Sequence, residues 1–231
     1  MVIALSRPEP FTWFSNPEGQ ALLPLPDNGF VSPAGEELIS AQHILERIYP
    51  RDPARTSLLP ATPDPVVVRA CIVYANSLYN PAAAKRGRWT PTVEPFTSAL
   101  PTIEPLIAHP FWQQLEVLAA PLPLRHRRLP IATSADLLVR FCNGGDIGIC
   151  MVQTGTPDQL NPLRVSAELG AALALLNDTH SWWPRRAFVL FCSPGKTTVE
   201  LIDVDAAVAC WLDAIDAYRF LSRFFNWEKD L

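Results

Sequence analysis

Residues 131–154 read IATSADLLVRFCNGGDIGICMVQT, and the reading of this stretch decides the fold. Two apolar runs flank Asn143-Gly144-Gly145-Asp146, whose glycines supply the positive-φ positions of a tight hairpin. The pattern predicts a strand over residues 131–142 and its antiparallel partner over 147–154. Working outward, residues 122–129 alternate weakly as a further strand. After the hairpin, Val165, Leu169, Ala172, Leu173 and Leu176 fall on one helical face, and Asn177-Asp178 is the expected end of that helix. Strands over 187–192 and 197–202 flank the turn sequence Ser193-Pro194-Gly195-Lys196. Asp205 is the expected cap of a last helix, in which Val208, Trp211, Leu212, Ile215 and Tyr218 form the stripe through to about Phe225.

On the N-terminal side, helices are expected over 36–49, 66–78 and 106–119, the last with Pro110 at a position where helices tolerate proline. Val66, Val67 and Val68 suit a strand equally well. Residues 1–34 read as an extended segment and 80–105 as irregular. This order of elements suits an α/β fold, a mixed sheet flanked by helices. The chain has 231 residues with 24 prolines and 10 glycines, and 20 of the prolines lie in residues 1–130. Proline removes a backbone donor and fixes φ, so it interrupts helices and central strands alike. The expected organisation is a proline-rich, partly helical region over 1–105 packed on a core over 106–231.

With 48% hydrophobic and 18% charged residues, the chain can build a core and is not disordered by composition. A net charge of −4 points to no polyanion partner overall, although a local basic stripe is compatible with it. No apolar run reaches the length of a membrane span, and MVIALSRPEPF lacks the basic lead of a signal peptide, so a cytoplasmic location is expected. The five cysteines are odd in number and scattered, as buried free thiols are. Without a CxxC pair, and with His43, His109, His126 and His180 far apart, a structural zinc site is not expected. Ser40 and His43 lack a nucleophile-elbow sequence, and no glycine loop could cradle a phosphate.

Three words occur in order: His109-Pro110-Phe111-Trp112, Ala132-Thr133-Ser134-Ala135-Asp136-Leu137-Leu138 and Ile149-Cys150-Met151-Val152-Gln153-Thr154. Together they resemble the PD-(D/E)XK nuclease superfamily, and within it the RecB-like exonucleases that include the mitochondrial genome-maintenance type. The resemblance covers residues 109–226 and implies a restriction-endonuclease-like sheet. In such nucleases two acids hold a magnesium ion by hard oxygens, and a lysine orients the attacking water. The resemblance puts the first acid at Asp136 and lays the acid-x-lysine-threonine word on Met151, Val152, Gln153 and Thr154. A neutral, soft thioether at Met151 cannot replace a carboxylate on magnesium. Gln153 lacks the lysine charge, although some restriction enzymes of the superfamily use glutamine there.

Some members carry the second acid on the following helix, where Glu168 stands, roughly 80° from the centre of the apolar face. Glu168 and Ala172 also occupy the places of the glutamine and tyrosine in the Gln-x-x-x-Tyr word of RecB-like relatives. The second expected helix lacks the histidine of their Gly-x-x-x-His pattern. These losses imply a pseudoenzyme without a cofactor, a binding or scaffolding subunit with a protein partner. The alternative is a divergent DNA nuclease using Asp136, Gln153 and Glu168, with magnesium at Asp136. A third reading is a non-catalytic DNA-binding protein.

The remaining features divide between these readings. Asp136 either holds metal or ends a strand with local hydrogen bonds, and Asp146 reads as a turn residue. On a strand, Arg125 and Arg127 would share one face with His126 and Arg128 on the other, as a phosphate-contacting edge or a solvated one. Lys85, Arg86 and Arg88 precede Trp89, a mixture of charge and aromatic ring suited to single-stranded nucleic acid. Trp182 and Trp183 either cap the core or form a hot spot. Phe224, Phe225 and Trp227 exceed what one helix face needs and suit a protein interface.

Overall fold

Side chains along a strand alternate between two faces, and in this protein both faces of the hairpin strands are covered. In the computed structural model these strands are β9 (Leu137–Phe141) and β10 (Ile147–Thr154), paired antiparallel from Arg140 opposite Ile147 to Leu137 opposite Cys150. Gly145 makes the turn with φ 68°, as the glycine pair predicts. The structure describes residues 37–50, 96–119, 121–141, 145–157 and 160–225, with short pieces at 23–24, 30–31, 68, 71–72, 79–80 and 85–86.

The hairpin sits in a five-stranded mixed sheet of order β12-β11-β10-β9-β6, with β6 at Leu115–Ala119, β11 at Arg186–Ser193 and β12 at Lys196–Ile202. Only β10 and β11 run parallel in it, from Gly148 opposite Arg186 to Thr154 opposite Cys192. A parallel pair needs a crossover, supplied by the helix α4 (Pro162–His180). A second sheet, of order β1-β2-β3-β8-β7, contains β1 (Leu23–Pro24), β2 (Phe30–Val31), β3 (Glu37–Ser40), β7 (Leu122–Arg125) and β8 (Ile131–Ala135). The two-residue strands β4 (Tyr79–Asn80) and β5 (Lys85–Arg86) pair with each other. Mixed sheets flanked by helices make this an α/β fold.

On one face of the central sheet, Ile149, Met151, Val189 and Phe191 pack with Leu169, Leu173 and Leu176 of α4 and with Trp211, Ile215 and Tyr218 of α5 (Val204–Phe225). Ile44 and Leu45 of α1 (Ala41–Ile48) join this cluster. On the other face, Val139, Cys150, Val152, Phe188 and Leu190 pack with Ala99, Ile103 and Leu106 of α2 (Phe96–Ala108) and Trp112 of α3 (Pro110–Gln113). Val68, Cys71 and Ile72, helical where they are described, complete it. The 105/106 division thus falls inside α2, whose residues pack on the central sheet.

Several elements differ from expectation for physical reasons. The run 131–142 is two strands, because the chain leaves one sheet for the other at Asp136. Residues 37–40 are a strand, with Ile39 and Ser40 opposite Ile131 and Ala132 of β8; Ser40 then caps α1 by accepting from the Gln42 N–H at 3.1 Å. The expected helix over 106–119 stops at Gln113, and Leu115–Ala119 pairs with β9 instead. α2 begins at Phe96, inside the stretch 80–105 read as irregular, and runs on to Ala108 with Pro101 and Pro105 inside it. The strand expected over 122–129 ends at Arg125. α4 continues past Asn177-Asp178 to His180 and closes on Ser181 at φ 51°. The last helix is capped by Asp203, whose carboxylate accepts from the Ala206 N–H at 2.8 Å, and Asp205 lies within the first turn.

Candidate functional site: the Asp136 junction and the outer face of α5

Pairing of β9 with β10 ends at Leu137 and Cys150, because beyond that point the chain belongs to the other sheet. The next inward backbone donor of β10 is taken by a side chain: Asp136 Oδ2 accepts from the Val152 N–H at 2.8 Å. Val152 is buried, so an acceptor here prevents an unsatisfied donor. The Asp136 carboxylate therefore works as a strand-end acid, fastening the link between β8 and β9 to the β10 backbone. Its charge also reaches the neighbouring thiol: burial, and then Asp136, push Cys150 far above the ordinary cysteine range.

Met151 and Gln153 lie two residues apart on β10 and share a face. Met151 is 5% exposed within the cluster beneath α4, and Gln153 Nε2 donates to its sulfur at 3.0 Å. Glu168 is half-buried on α4 between buried Ala167 and Leu169. On β10 and at the seam themselves, the donors are one carboxylate already hydrogen-bonded to backbone, a thioether and an amide. Magnesium prefers an octahedron of hard oxygens, and this set does not fit it. Among the described residues, no group of three or more His, Cys, Asp and Glu side chains could hold a metal ion.

The basic run is placed differently from its expected strand alternation. Beyond Arg125 the chain turns, and His126 Nδ1 accepts from the N–H groups of Arg128 and Leu129, each at 3.1 Å. Arg127 is committed to the end of α4. Its N–H donates to Asp178, and its guanidinium donates to the Thr179 carbonyl and to Ser181 Oγ, both at 3.3 Å. A cation there meets the carbonyl end of the helix, where positive charge is favoured. Thr179 Oγ1 donates back to the Arg125 carbonyl at 2.6 Å. His180 beside this knot has its pKa lowered, by burial first and by the Arg127 charge second. Arg128 is exposed. Lys85 and Arg86 form β5, opposite Asn80 and Tyr79. Arg88 lies outside the described residues.

The aromatic candidates separate as well. Trp182 packs against the core cluster, whereas Trp183 is exposed. Phe224 and Phe225 are 69% and 66% exposed, and Trp227 lies outside the described residues. Sequence reasoning passed over Phe220, which is 61% exposed with its ring 4.8 Å from that of Phe224. The i, i+4 spacing of these two phenylalanines, away from the Trp211, Ile215 and Tyr218 stripe, was the available signal. Leu212, expected within the buried stripe, is 52% exposed on the outer side of α5.

No family model and no curated protein matches the chain. Among solved structures, the one described as "Crystal structure of SSO0001" is similar to it over 78% of this chain and 75% of that one, at 14% identity and a TM-score of 0.34. That likeness is too loose to carry a fold or a function across. No helix among the described residues is long and apolar enough to cross a membrane.

Proposed function

We propose that this protein is a catalytically inactive relative of the PD-(D/E)XK nucleases that serves as a binding subunit, engaging a protein partner through the outer face of α5. The observation that carries the reading is Met151. At the position where the resemblance requires a second acid, the side chain is apolar, buried under α4 and in contact with the Gln153 amide. The Asp136 carboxylate, the remaining acid of the word, is engaged with the β10 backbone. The mixed sheet flanked by helices agrees with the fold that the resemblance implies. Exposed Leu212, Phe220 and Phe224 on one helix support a partner surface, because monomeric proteins seldom leave large apolar groups clustered in water.

Two assays test it. The purified protein, given magnesium or manganese and single- or double-stranded DNA, is expected to cleave neither. Cleavage that disappears in Asp136→Asn would overturn the inactive reading, and its further loss in Glu168→Gln would establish the divergent nuclease with a migrated acid. In pull-downs from the native host, the wild type is expected to retain a protein that Phe220→Ser/Phe224→Ser releases. DNA binding that weakens steeply with salt would instead favour the DNA-binding alternative.

A further inference from the structure

The outer face of α5 has a charge order as well as an apolar one. Successive helical residues turn by about 100°, so Leu212, Asp216, Phe220 and Arg223 lie within about 80° of arc, with Asp213 and Phe224 at its flank. Asp213, Asp216, Arg223 and the three apolar residues are all exposed. Phe225 falls on the opposite side, continuing the buried Ala207, Trp211 and Tyr218 row beyond the core. On the outer face, acids occupy the N-terminal half and bases, Arg219 and Arg223, the C-terminal half. Asp216 and Arg219 already approach within one copy, at 3.9 Å.

Resting on the reading of α5 as a partner surface, we propose that the partner is a second copy of this chain, docked α5 against α5 in antiparallel fashion. A two-fold axis level with Tyr218 aligns each residue with one of the other copy at the mirrored position. Leu212 then meets Phe224 of the second copy, and Asp213 meets Arg223 of the second copy. Asp216 comes level, to within about 1.5 Å along the helix, with Arg219 of the second copy. Each contact occurs twice, as a self-complementary two-fold interface requires. A parallel arrangement would set acids beside acids and bases beside bases, so the charges select the antiparallel one. Phe220 and Phe224, whose rings meet at a tilt of 49° within each copy, form the apolar ridge along the helix. A single helix pair is smaller than the standard interface of about 1,600 Å², which sets the expectation of a concentration-dependent dimer.

Sedimentation of the full chain over a range of loading concentrations tests the proposal. The wild type is expected to move from monomer to dimer, and less so at high salt, because the exposed charges are screened. Asp213→Arg and Arg223→Asp each create two like-charge pairs and are expected to sediment as monomers. Their equimolar mixture, and the double variant carrying both changes, restore opposite charges and are expected to dimerise again. Phe220→Ser/Phe224→Ser is expected to stay monomeric with unchanged circular dichroism. A wild type that is monomeric at every concentration overturns the proposal, as does a dimer indifferent to both charge reversals. If the monomeric wild type still retains a host protein that the phenylalanine variant releases, self-pairing fails while α5 as a partner surface stands. If nothing is retained either, both fail.

Discussion

The Pro101 carbonyl in α2 accepts a 2.8 Å hydrogen bond from the Gly195 N–H in the turn between β11 and β12. In an uninterrupted helix that oxygen belongs to the N–H four residues on, but residue 105 is proline and has none. The donor missing from the helix is replaced from across the core, and the replacement fastens α2 to the hairpin beneath it. Two prolines that weigh against a helix in sequence are accommodated because tertiary structure supplies the lost bond.

Gly195 holds φ at 76°, and an added Cβ would meet nothing within 4 Å. Its substitution is therefore a backbone problem and not a packing one. Gly195→Ala is expected to cost about 1–2 kcal/mol from the left-handed conformation. Gly195→Asn, which adopts that conformation more readily, should cost less. Urea unfolding of the pair checks the order.

Gly170 presents the opposite case. Its backbone is helical, but a Cβ would lie 2.0 Å from the Ala207 carbonyl oxygen, where α4 packs against α5. Alanine ordinarily improves a helix by up to about 1 kcal/mol over glycine, whereas overpacking costs about 1–3 kcal/mol. Gly170→Ala is expected to lower the urea midpoint, and Ala207→Gly is not expected to rescue it, since the obstruction is backbone.

Asp136→Ala leaves the buried Val152 N–H without this acceptor, at an expected cost of about 1–3 kcal/mol. Asp136→Asn retains an acceptor oxygen and should lose less. Hydrogen exchange at Val152 is the direct readout, faster in the alanine variant than in the asparagine one. Equal losses in the two would point to the carboxylate charge as the stabilising element.

Because burial and Arg127 lower the pKa of His180 below its ordinary 6.5, the unfolded chain binds the proton more readily than the folded one. Stability then rises with pH in that window. The contribution is fully present above 6.5, declines as pH falls from 6.5 through the folded pKa, and levels off beneath it. His180→Gln is expected to flatten this part of the stability profile, measured as urea midpoints at successive pH values.

The hairpin β9–β10 was legible because Asn-Gly-Gly-Asp is a local signal, and α4 and α5 because a 3.6-residue stripe survives in any context. What was hidden depended on distant partners. Leu115, Val117 and Leu118 fit helix and strand alike, and only pairing with β9 decides between them. The strand over 37–40 exists because β8, far along the chain, lies beside it. Nothing local in the apolar run 131–142 reveals that Asp136 parts two sheets. At the candidate site, the adjacency of Met151 and Gln153 follows from strand periodicity. The commitment of Arg127 to Thr179 and Ser181 does not, since it joins segments about fifty residues apart in sequence.

α5 follows every strand among the described residues, yet it supplies Trp211, Ile215 and Tyr218 to the larger core cluster. During synthesis from the N-terminus, α4 and the sheet therefore emerge with one apolar face uncovered, and it stays so until the helix leaves the ribosome. Growing chains with such a face are prone to association. Chaperone demand should fall on that interval, and a lower temperature, which weakens hydrophobic association, is the condition under which more of this protein is expected to be recovered soluble.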